Sequence, residues 1–438
     1  MQSSEQQLVA AVQELNASAF AEAEGKKQRD RFAYDPDAKL KVLLLGNYRP
    51  TLTIARILSA KGHQVFSGDE GWEGGAQFSS SVGKMWSHPK LADDKATFFE
   101  ALSDYTIEHE IDLVYPVSEN FVSAFVENPE WAEGLPPIAM HKPEQNAACL
   151  DKFGMYDRAQ RLGVPTMLYA RVETERQLRS TMQTVGLPLV IRPENCLGRF
   201  DNKKVFTITS DDDLKWFLDH WETEQTALLC QKFASGPRHN IYFAAERGQI
   251  FRYLEAKILN TDIPDGSGLA TEGITLSPNP VLREYTNRLI ADLDYTGIGC
   301  AQFLVDEATG DVSFLEVNSR IAGNHAVPEA AGLELTEVPL LMAFNQPQNF
   351  VRKDGKVGLK YVWTSGALVG AKVGWIRGDL TLWQSVAWMV RALYLGFVAD
   401  VHMVFSWRDP KPAFMAMGAV LPSLHGFTRR IKNLLRRK

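Results

Sequence analysis

The stretch that decides the fold is Gln302-Phe-Leu-Val-Asp-Glu-Ala-Thr-Gly-Asp-Val-Ser-Phe-Leu-Glu316-Val-Asn318-Ser-Arg320. Two apolar runs flank an Asp-Glu-Ala-Thr-Gly-Asp turn, which is typical of a β-hairpin. Side chains alternate between the two faces of a strand, so Glu316, Asn318 and Arg320 are predicted to share one face. Gln302 lies on the facing strand and can reach the same face.

These side chains form a set of hard oxygen donors beside a guanidinium. Glu316, Gln302 and Asn318 offer one carboxylate and two amide oxygens, which Mg²⁺ (or Mn²⁺) accepts, and Arg320 would bind an anion. The combination suits a metal that bridges the phosphates of a nucleoside triphosphate. A polar, solvent-facing strand in an ordinary antiparallel pair would show the same pattern, so the strand alone does not decide between the two.

Composition narrows the class of protein. A chain of 438 residues is too long for one compact core, so two or three domains are expected. The apolar fraction of 45% and the charged fraction of 23% are ordinary for a soluble globular protein, and the net charge of −6 argues against nucleic-acid binding. The four cysteines are isolated, which disfavours zinc or a disulfide framework and favours a cytoplasmic location.

Strand and helix patterns alternate over residues 39–145 and predict a Rossmann-like domain with a parallel sheet. Its first turn, Gly46-Asn-Tyr-Arg-Pro50, is not GxGxxG, so no dinucleotide site is predicted there. An amphipathic pattern at residues 5–24 predicts an N-terminal helical extension over 1–38.

The pattern changes near Asp151, and residues 146–346 predict an α+β domain with a lid subdomain at about 185–235. Strands are predicted at 187–192, 228–233, 240–245, 250–256 and 298–305, and helices at 211–222 and 281–293. Residues 347–438 are predicted to form a Trp-rich C-terminal domain with a basic terminal helix.

Three clusters precede the hairpin. Arg192 ends a buried strand and needs an anion there, which is either a phosphate or a helix carboxylate. Lys152, just inside a helix, is a second candidate phosphate cation, although alone it would be a solvated lysine. Gln231-Lys232-Phe233 end a strand in a short hinge whose backbone and ring could contact a purine, or they belong to a plain core strand.

In order and spacing these clusters resemble the ATP-grasp superfamily of carboxylate–amine ligases, over residues 40 to about 345. The resemblance implies that Lys152 and Arg192 contact phosphate and that Gln231-Lys232-Phe233 form the adenine-binding hinge. It assigns His239, in Gly236-Pro-Arg-His239, to the nucleotide, as in the similar Pro-Arg-His of biotin carboxylases. Gln302, Glu316 and Asn318 match the Mg²⁺ ligands of the carbamoyl phosphate synthetase branch, and Arg320 matches the arginine that holds the acyl phosphate or carboxylate.

The chain also departs from that family. Residues 194–204, where members usually have several glycines, contain only Gly198, although Arg199, Lys203 and Lys204 could supply charge. Asn324 stands where biotin carboxylases carry a catalytic glutamate, and no Ala-Met-Lys-Met biotin-attachment sequence occurs, so biotin carboxylation is disfavoured.

The resemblance implies a Rossmann-like pre-ATP-grasp domain followed by an ATP-grasp domain and a small C-terminal extension. It implies an enzyme that uses ATP and Mg²⁺ (or Mn²⁺) to activate a carboxylate as an acyl phosphate and join it to an amine, with small-molecule substrates and a homodimer among the expected assemblies. The glycine-poor lid leaves open an alternative: a catalytically inactive nucleotide-binding subunit with a regulatory or scaffolding role.

The C-terminus has its own pattern. Residues 382–399 predict a buried or surface-lying helix rather than a spanning one, because Gln384, Ser385 and Arg391 interrupt the apolar run. Residues 427–438 predict a helix with one apolar face and six cations, which suits weak contact with an anionic membrane surface. Docking of this helix on the Trp-rich segment is the alternative.

Overall fold

The computed structural model describes residues 37–69, 74–193, 205–221, 227–346 and 351–418. The predicted N-terminal helix at 5–24, the lid residues 194–204 and the basic C-terminal helix at 427–438 lie outside these ranges. The described residues form three β-sheets with flanking helices. The predicted mixture of an α/β unit with a following α+β unit is confirmed.

The first sheet is parallel and has the strand order β3-β2-β1-β4 within the described residues. Residues 42–45 of its first strand are fully buried, as expected for a parallel strand covered on both faces. The predicted Rossmann-like winding is confirmed. Its elements are β1 (Lys41–Leu45), α1 (Arg49–Ala60), β2 (Gln64–Asp69), β3 (Lys84–Ser87), α2 (Lys95–Glu108), β4 (Leu113–Pro116) and α3 (Glu119–Glu127).

A small antiparallel sheet, here called the lid sheet, has the strand order β5-β8-β6-β7 in the part of the chain that is described. Its β5 precedes the predicted lid bounds of 185–235, so the sheet draws on residues before that subdomain; the domain bounds stay a prediction. The elements here are α4 (Pro143–Leu150), α5 (Lys152–Arg161), β5 (Tyr169–Val172), α6 (Glu175–Val185), β6 (Leu189–Pro193), β7 (Phe206–Ile208), α7 (Asp211–His220) and β8 (Leu228–Lys232).

The third sheet, the large sheet, runs β13-β12-β9-β10-β11-β15-β16, with β14 paired to β10, among the described residues. Its β12–β13 hairpin confirms the predicted turn and sets Gln302 opposite Glu316. The elements are β9 (Arg238–Glu246), β10 (Gln249–Thr261), β11 (Ala270–Leu276), α8 (Pro280–Asp292), β12 (Gly297–Val305), β13 (Val312–Asn318), α9 (Ala326–Ala330), α10 (Glu337–Ala343), β14 (Lys353–Asp354), β15 (Lys360–Val362), α11 (Thr364–Arg377), α12 (Leu382–Val398), β16 (Val401–His402) and α13 (Lys411–Gly418).

Both faces of the large sheet are buried. Its inner face, which carries Tyr242 and Cys300, shares one core with Leu44 of the parallel sheet. Its outer face, which carries Phe243 and Phe303, packs in a second core with residues of α8. Because side chains alternate along each strand, a shift of one residue moves a side chain from one core to the other.

Candidate active site

The hairpin residues meet on the inner face, as the alternation predicted. Glu316 Oε1 accepts a hydrogen bond from Asn318 Nδ2 at 3.0 Å, and Asn318 Oδ1 accepts one from Arg320 Nη2 at 3.1 Å. Gln302 is directly opposite Glu316 in the hairpin register. The sequence therefore located a real cluster of oxygen donors with a guanidinium beside it.

The lid sheet brings Arg192 to this cluster. Its Nη2 lies 3.1 Å from Glu316 Oε2, so its partner in the structure is a carboxylate on a strand, 124 positions away in the chain, rather than one on a helix. Lys152 is buried at the first position of α5, and its Nζ donates to the carbonyl oxygen of Pro193 at 3.0 Å. Both cations predicted to contact phosphate therefore lie on the same side of the hairpin.

Glu316 is held in its charged form. Burial alone would raise the pKa of its carboxyl, but Arg192, the Asn318 amide, Lys152 and Arg320 together outweigh burial and lower the pKa to about 2. The carboxylate is therefore ionised throughout the physiological range and available as a metal ligand.

Arg320 forms an ion pair with Glu119, a residue that the sequence analysis did not identify. Glu119, the first residue of α3, accepts from Arg320 Nε at 3.2 Å and from Nη2 at 2.9 Å through the same Oε2 atom. Burial opposes the charge on Arg320, but Glu119, Tyr48 and Glu316 raise the pKa of the guanidinium above its usual value. The sequence did contain a signal that could have identified Glu119. Tyr48 follows β1 and Glu119 follows β4, and these two strands are parallel neighbours. The carboxyl ends of such strands commonly bind ligands.

The predicted hinge has one buried and two exposed members. Gln231 is 2% exposed and lies on the face of the lid sheet that also carries Arg192, and its Nε2 has no hydrogen-bond partner among the described residues. Lys232 is exposed, and half of the Phe233 side chain is exposed. A buried amide without a partner is costly, so this position favours a ligand that supplies an acceptor.

His239 does not join the cluster. It lies on the outer face, where its Nδ1 is 2.8 Å from Glu255 Oε1, and the other oxygen of Glu255 accepts from the Asn279 N–H at 2.7 Å. Its neighbours Arg238 and Asn240 occupy the inner face instead, with Asn240 directly opposite Gln302. The period of two along β9 explains this correction, because the Pro-Arg-His match cannot show which of two consecutive side chains faces the site.

A network of buried polar side chains continues from Gln302 across the inner face. Asn240 Nδ2 donates to the Tyr242 hydroxyl at 3.2 Å, and beyond Tyr242 lie Asn324 and Tyr361. The Asn324 side chain interacts with the hydroxyls of both Tyr242 and Tyr361. Two other buried atoms of this network, Arg238 Nε and Asn240 Oδ1, have no hydrogen-bond partner among the described residues. Native interiors rarely leave such atoms unpaired, so this end of the network favours a polar ligand.

Arg49 closes the far end of this network. Its guanidinium lies 3.7 Å above the ring of Trp363, and burial lowers its pKa to about 10. A Cβ atom at Gly323 would come within 3.2 Å of Arg49 Nη2, so the glycine leaves room for the guanidinium. Arg49 comes from the turn after β1 that the sequence analysis set aside, and it brings a second guanidinium, besides that of Arg320, to this face.

The oxygen atoms of Gln302, Glu316 and Asn318 determine which kind of metal ion this site could hold. Within the described ranges, no three His, Cys, Asp or Glu side chains form a metal-binding cluster. Gln302, Glu316 and Asn318 supply one carboxylate and two amides, which fits Mg²⁺ only when phosphate oxygens and water complete its six ligands. The residues present therefore fit a metal that arrives with a phosphorylated ligand, and they do not form a cage of their own.

The outer-face pair gives a direct stability test. We expect His239→Ala to lower the free energy of unfolding by about 2–4 kcal/mol, because it leaves the buried Glu255 carboxylate with fewer partners. Urea unfolding measures this. Lys257→Ala is the matched control, since Lys257 stands opposite His239 on β10 and pairs with the exposed Glu307; its cost should be below about 1 kcal/mol. Equal small losses would contradict the pairing.

The chain is similar in sequence to known proteins. Residues 272–349 match the family model described as the carbamoyl-phosphate synthase L chain, ATP binding domain. A putative urea carboxylase of Emericella nidulans is 33% identical over 231 residues, which is 49% of this chain and 16% of that protein. The chain therefore spans only a small part of the length of this curated relative.

Two solved structures are similar in fold. The biotin carboxylase domain of Hydrogenobacter thermophilus 2-oxoglutarate carboxylase, in complex with MgADP, ADP and bicarbonate, has a TM-score of 0.59 and 15% identity over 74% of each chain. The N5-carboxyaminoimidazole synthetase of Staphylococcus aureus, complexed with ADP, has a TM-score of 0.58 and 12% identity over 78% of this chain and 88% of that one. With the sheet topology, these likenesses show that the chain has the ATP-grasp fold.

Proposed function

We propose that this chain is an ATP-dependent ligase that activates a carboxylate as an acyl phosphate and joins it to an amine, forming a C–N bond and releasing ADP and phosphate. The observation that carries the proposal is the meeting of Lys152 and Arg192 with Glu316, beside Arg320 and Glu119. Three cations from separate elements face two carboxylates. Such an excess of positive charge suits a polyanion such as a nucleoside triphosphate.

Mg²⁺ (or Mn²⁺) would be held by Gln302, Glu316 and Asn318 and would neutralise the phosphates during phosphoryl transfer. Glu316 is the charged member of this set, and its low pKa keeps it ready to bind without a preceding loss of a proton. Asn318 ties Glu316 to Arg320, so the metal and the acceptor groups are held in a fixed relation. Positioning of this kind is the main contribution a protein makes to phosphoryl transfer.

The nucleotide would lie between the lid sheet and the hairpin. The unpartnered Gln231 amide, with Lys232 and Phe233 beside it, supports placement of the adenine at the end of β8. Lys152 and Arg192 would then meet the phosphates, with Arg192 able to exchange its contact with Glu316 for a phosphate oxygen. The similar solved structures hold MgADP and ADP, which agrees with ATP as the cofactor proposed here.

The carboxylate would be held by Arg320, whose Nη1 donates one N–H to the Ile321 carbonyl oxygen at 3.2 Å and carries a second N–H that a ligand could accept from. Its oxyanion would be stabilised by the same guanidinium when the amine attacks. The inner-face network that ends at Arg49 supports a polar small-molecule substrate with a second anionic group or hydrogen-bonding groups. Asn324, a neutral amide inside this network, supports a substrate other than biotin, because it supplies no general base.

A substrate screen separates the ligase from the inactive nucleotide-binding subunit. We expect ADP release that requires one carboxylate together with one amine, measured by a coupled assay over panels of amino acids and related acids. Glu316→Ala should abolish it, because the phosphates lose the charged metal ligand. Glu307→Ala is the control, since Glu307 is an exposed carboxylate on the same hairpin. Tight ATP binding without turnover for any pair would instead favour the inactive subunit.

Arg192 tests the phosphate site. We expect Arg192→Ala to raise the KM for ATP by roughly tenfold or more, because a charge-assisted contact with phosphate is lost. Arg171→Ala, which removes an exposed cation from β5 of the same sheet, should leave the KM unchanged. A large fall in melting temperature with an unchanged KM would show that the Arg192–Glu316 pair serves stability alone.

Glu119 tests the orientation of Arg320. We expect Glu119→Gln to lower kcat by about tenfold with little change in the KM for ATP, because a neutral amide holds the guanidinium less firmly. Glu127→Gln is the control, because this glutamate ends the same helix and pairs with the exposed Lys95. If the KM for ATP rises as much as kcat falls, Arg320 acts on the nucleotide and not on the carboxylate.

A further inference from the structure

The helix α12 exposes an unusual surface. Its side chains at 382, 383, 386, 390, 393, 394, 397 and 398 are large and apolar, and all are exposed. The spacing of three and four residues from Trp383 to Phe397 places most of them on one stripe of the helix. The opposite side, with Ser385, Ala392 and Leu395, is buried, so this stripe is an outer surface of the molecule.

The exposure is high for residues of this type. Trp383 is 79% exposed, Tyr394 63% and Phe397 87%, and in the segment after β16 Trp407 is 88% and Phe414 69% exposed. Single exposed apolar residues are common on proteins, but a continuous stripe of this kind marks an interaction surface. The one charged residue of α12 is Arg391, which pairs with Glu272 at 2.6 Å and borders the stripe.

The net charge of the C-terminal sequence indicates which kind of partner the α12 stripe would bind. Residues 364–438 contain eleven lysines and arginines and three acidic residues, a net charge of +8, so residues 1–363 carry −14. A second copy of this chain would bring the same positive charge to the contact. Residues 419–438 contribute six of these cations and no acidic residue, and the stripe offers them no carboxylate. An anionic surface that also accepts aromatic side chains suits both the apolar stripe and the positive charge of the C-terminal sequence.

We propose that the α12 stripe docks this protein on an anionic lipid bilayer, with α12 lying along the interface. Trp and Tyr favour the boundary between headgroups and acyl chains, and basic residues nearby add attraction to anionic lipids. Across the described ranges no helix is long and apolar enough to cross a membrane, so the contact is with one leaflet. Docking through the described stripe goes beyond the contact that the sequence suggested for residues 427–438.

Vesicle co-sedimentation of the full chain tests the proposal. We expect binding to vesicles of phosphatidylcholine mixed with phosphatidylglycerol, much weaker binding to phosphatidylcholine alone, and a fall at high salt. Trp383→Ser with Phe397→Ser should lower the partition coefficient by at least about tenfold, because two large apolar side chains no longer enter the bilayer. Ile107→Ser with Leu168→Ser is the matched control, since these side chains are 63% and 58% exposed elsewhere.

Several outcomes would overturn the proposal. They are no binding to either vesicle at low salt, equal binding to both, or equal losses in the stripe and control variants. Light scattering provides a further measurement: a dimer that the stripe variant converts to a monomer, without vesicle binding, would assign the stripe to a second copy of the chain. Vesicle binding that is unchanged in the stripe variant would also overturn the proposal. The substitutions are at exposed positions, so thermal unfolding should stay unchanged and show that the variant is folded.

Discussion

One carboxylate, Glu316, connects the parts of the site. It contacts Arg192 of the lid sheet and Asn318 of its own strand, and through Asn318 it reaches Arg320, which Glu119 ties to the parallel sheet. The attraction of these cations overcomes the cost of burying the carboxylate and keeps its pKa at about 2. The lid sheet, the hairpin and the N-terminal unit therefore meet at one charged group, which is also the one proposed to bind a metal.

This arrangement has a consequence for the order of binding. With a single carboxylate and two amides, the hairpin has low intrinsic affinity for a free divalent cation. The surplus of positive charge from Lys152, Arg192 and Arg320 favours a polyanion that carries its own cation. Metal and nucleotide are thus expected to enter together, and the unpartnered groups around Gln231 and Asn240 indicate where further polar groups of the ligands would bind.

The inner face of the large sheet has two regions with different side-chain chemistry. Its hairpin end carries the charged groups proposed for phosphoryl transfer, and the network from Asn240 through Tyr361 to Arg49 leads away from them. Asn324 belongs to this second region, at the position where the sequence already departed from the biotin carboxylases. Under the proposed function, the identity of the substrate would depend on groups that come from α1, β9, β15 and the segment after β13, which no single motif contains.

The sequence by itself determined what lies within one element. Alternation along β13 and the two residues that follow it placed Glu316, Asn318 and Arg320 together, and the Asp-Glu-Ala-Thr-Gly-Asp turn set Gln302 opposite Glu316, because both are consequences of local strand geometry. The tertiary structure alone decided which elements meet. Glu119 and Arg49 reach the site from the N-terminal unit across long stretches of chain, and His239 turns away while Arg238 and Asn240 face inward, because strand pairing sets the register and register sets the face. The exposure of the α12 stripe was likewise decided by tertiary packing. The sequence of an apolar helix does not show which of its sides will be buried against neighbouring elements and which will stay exposed to solvent.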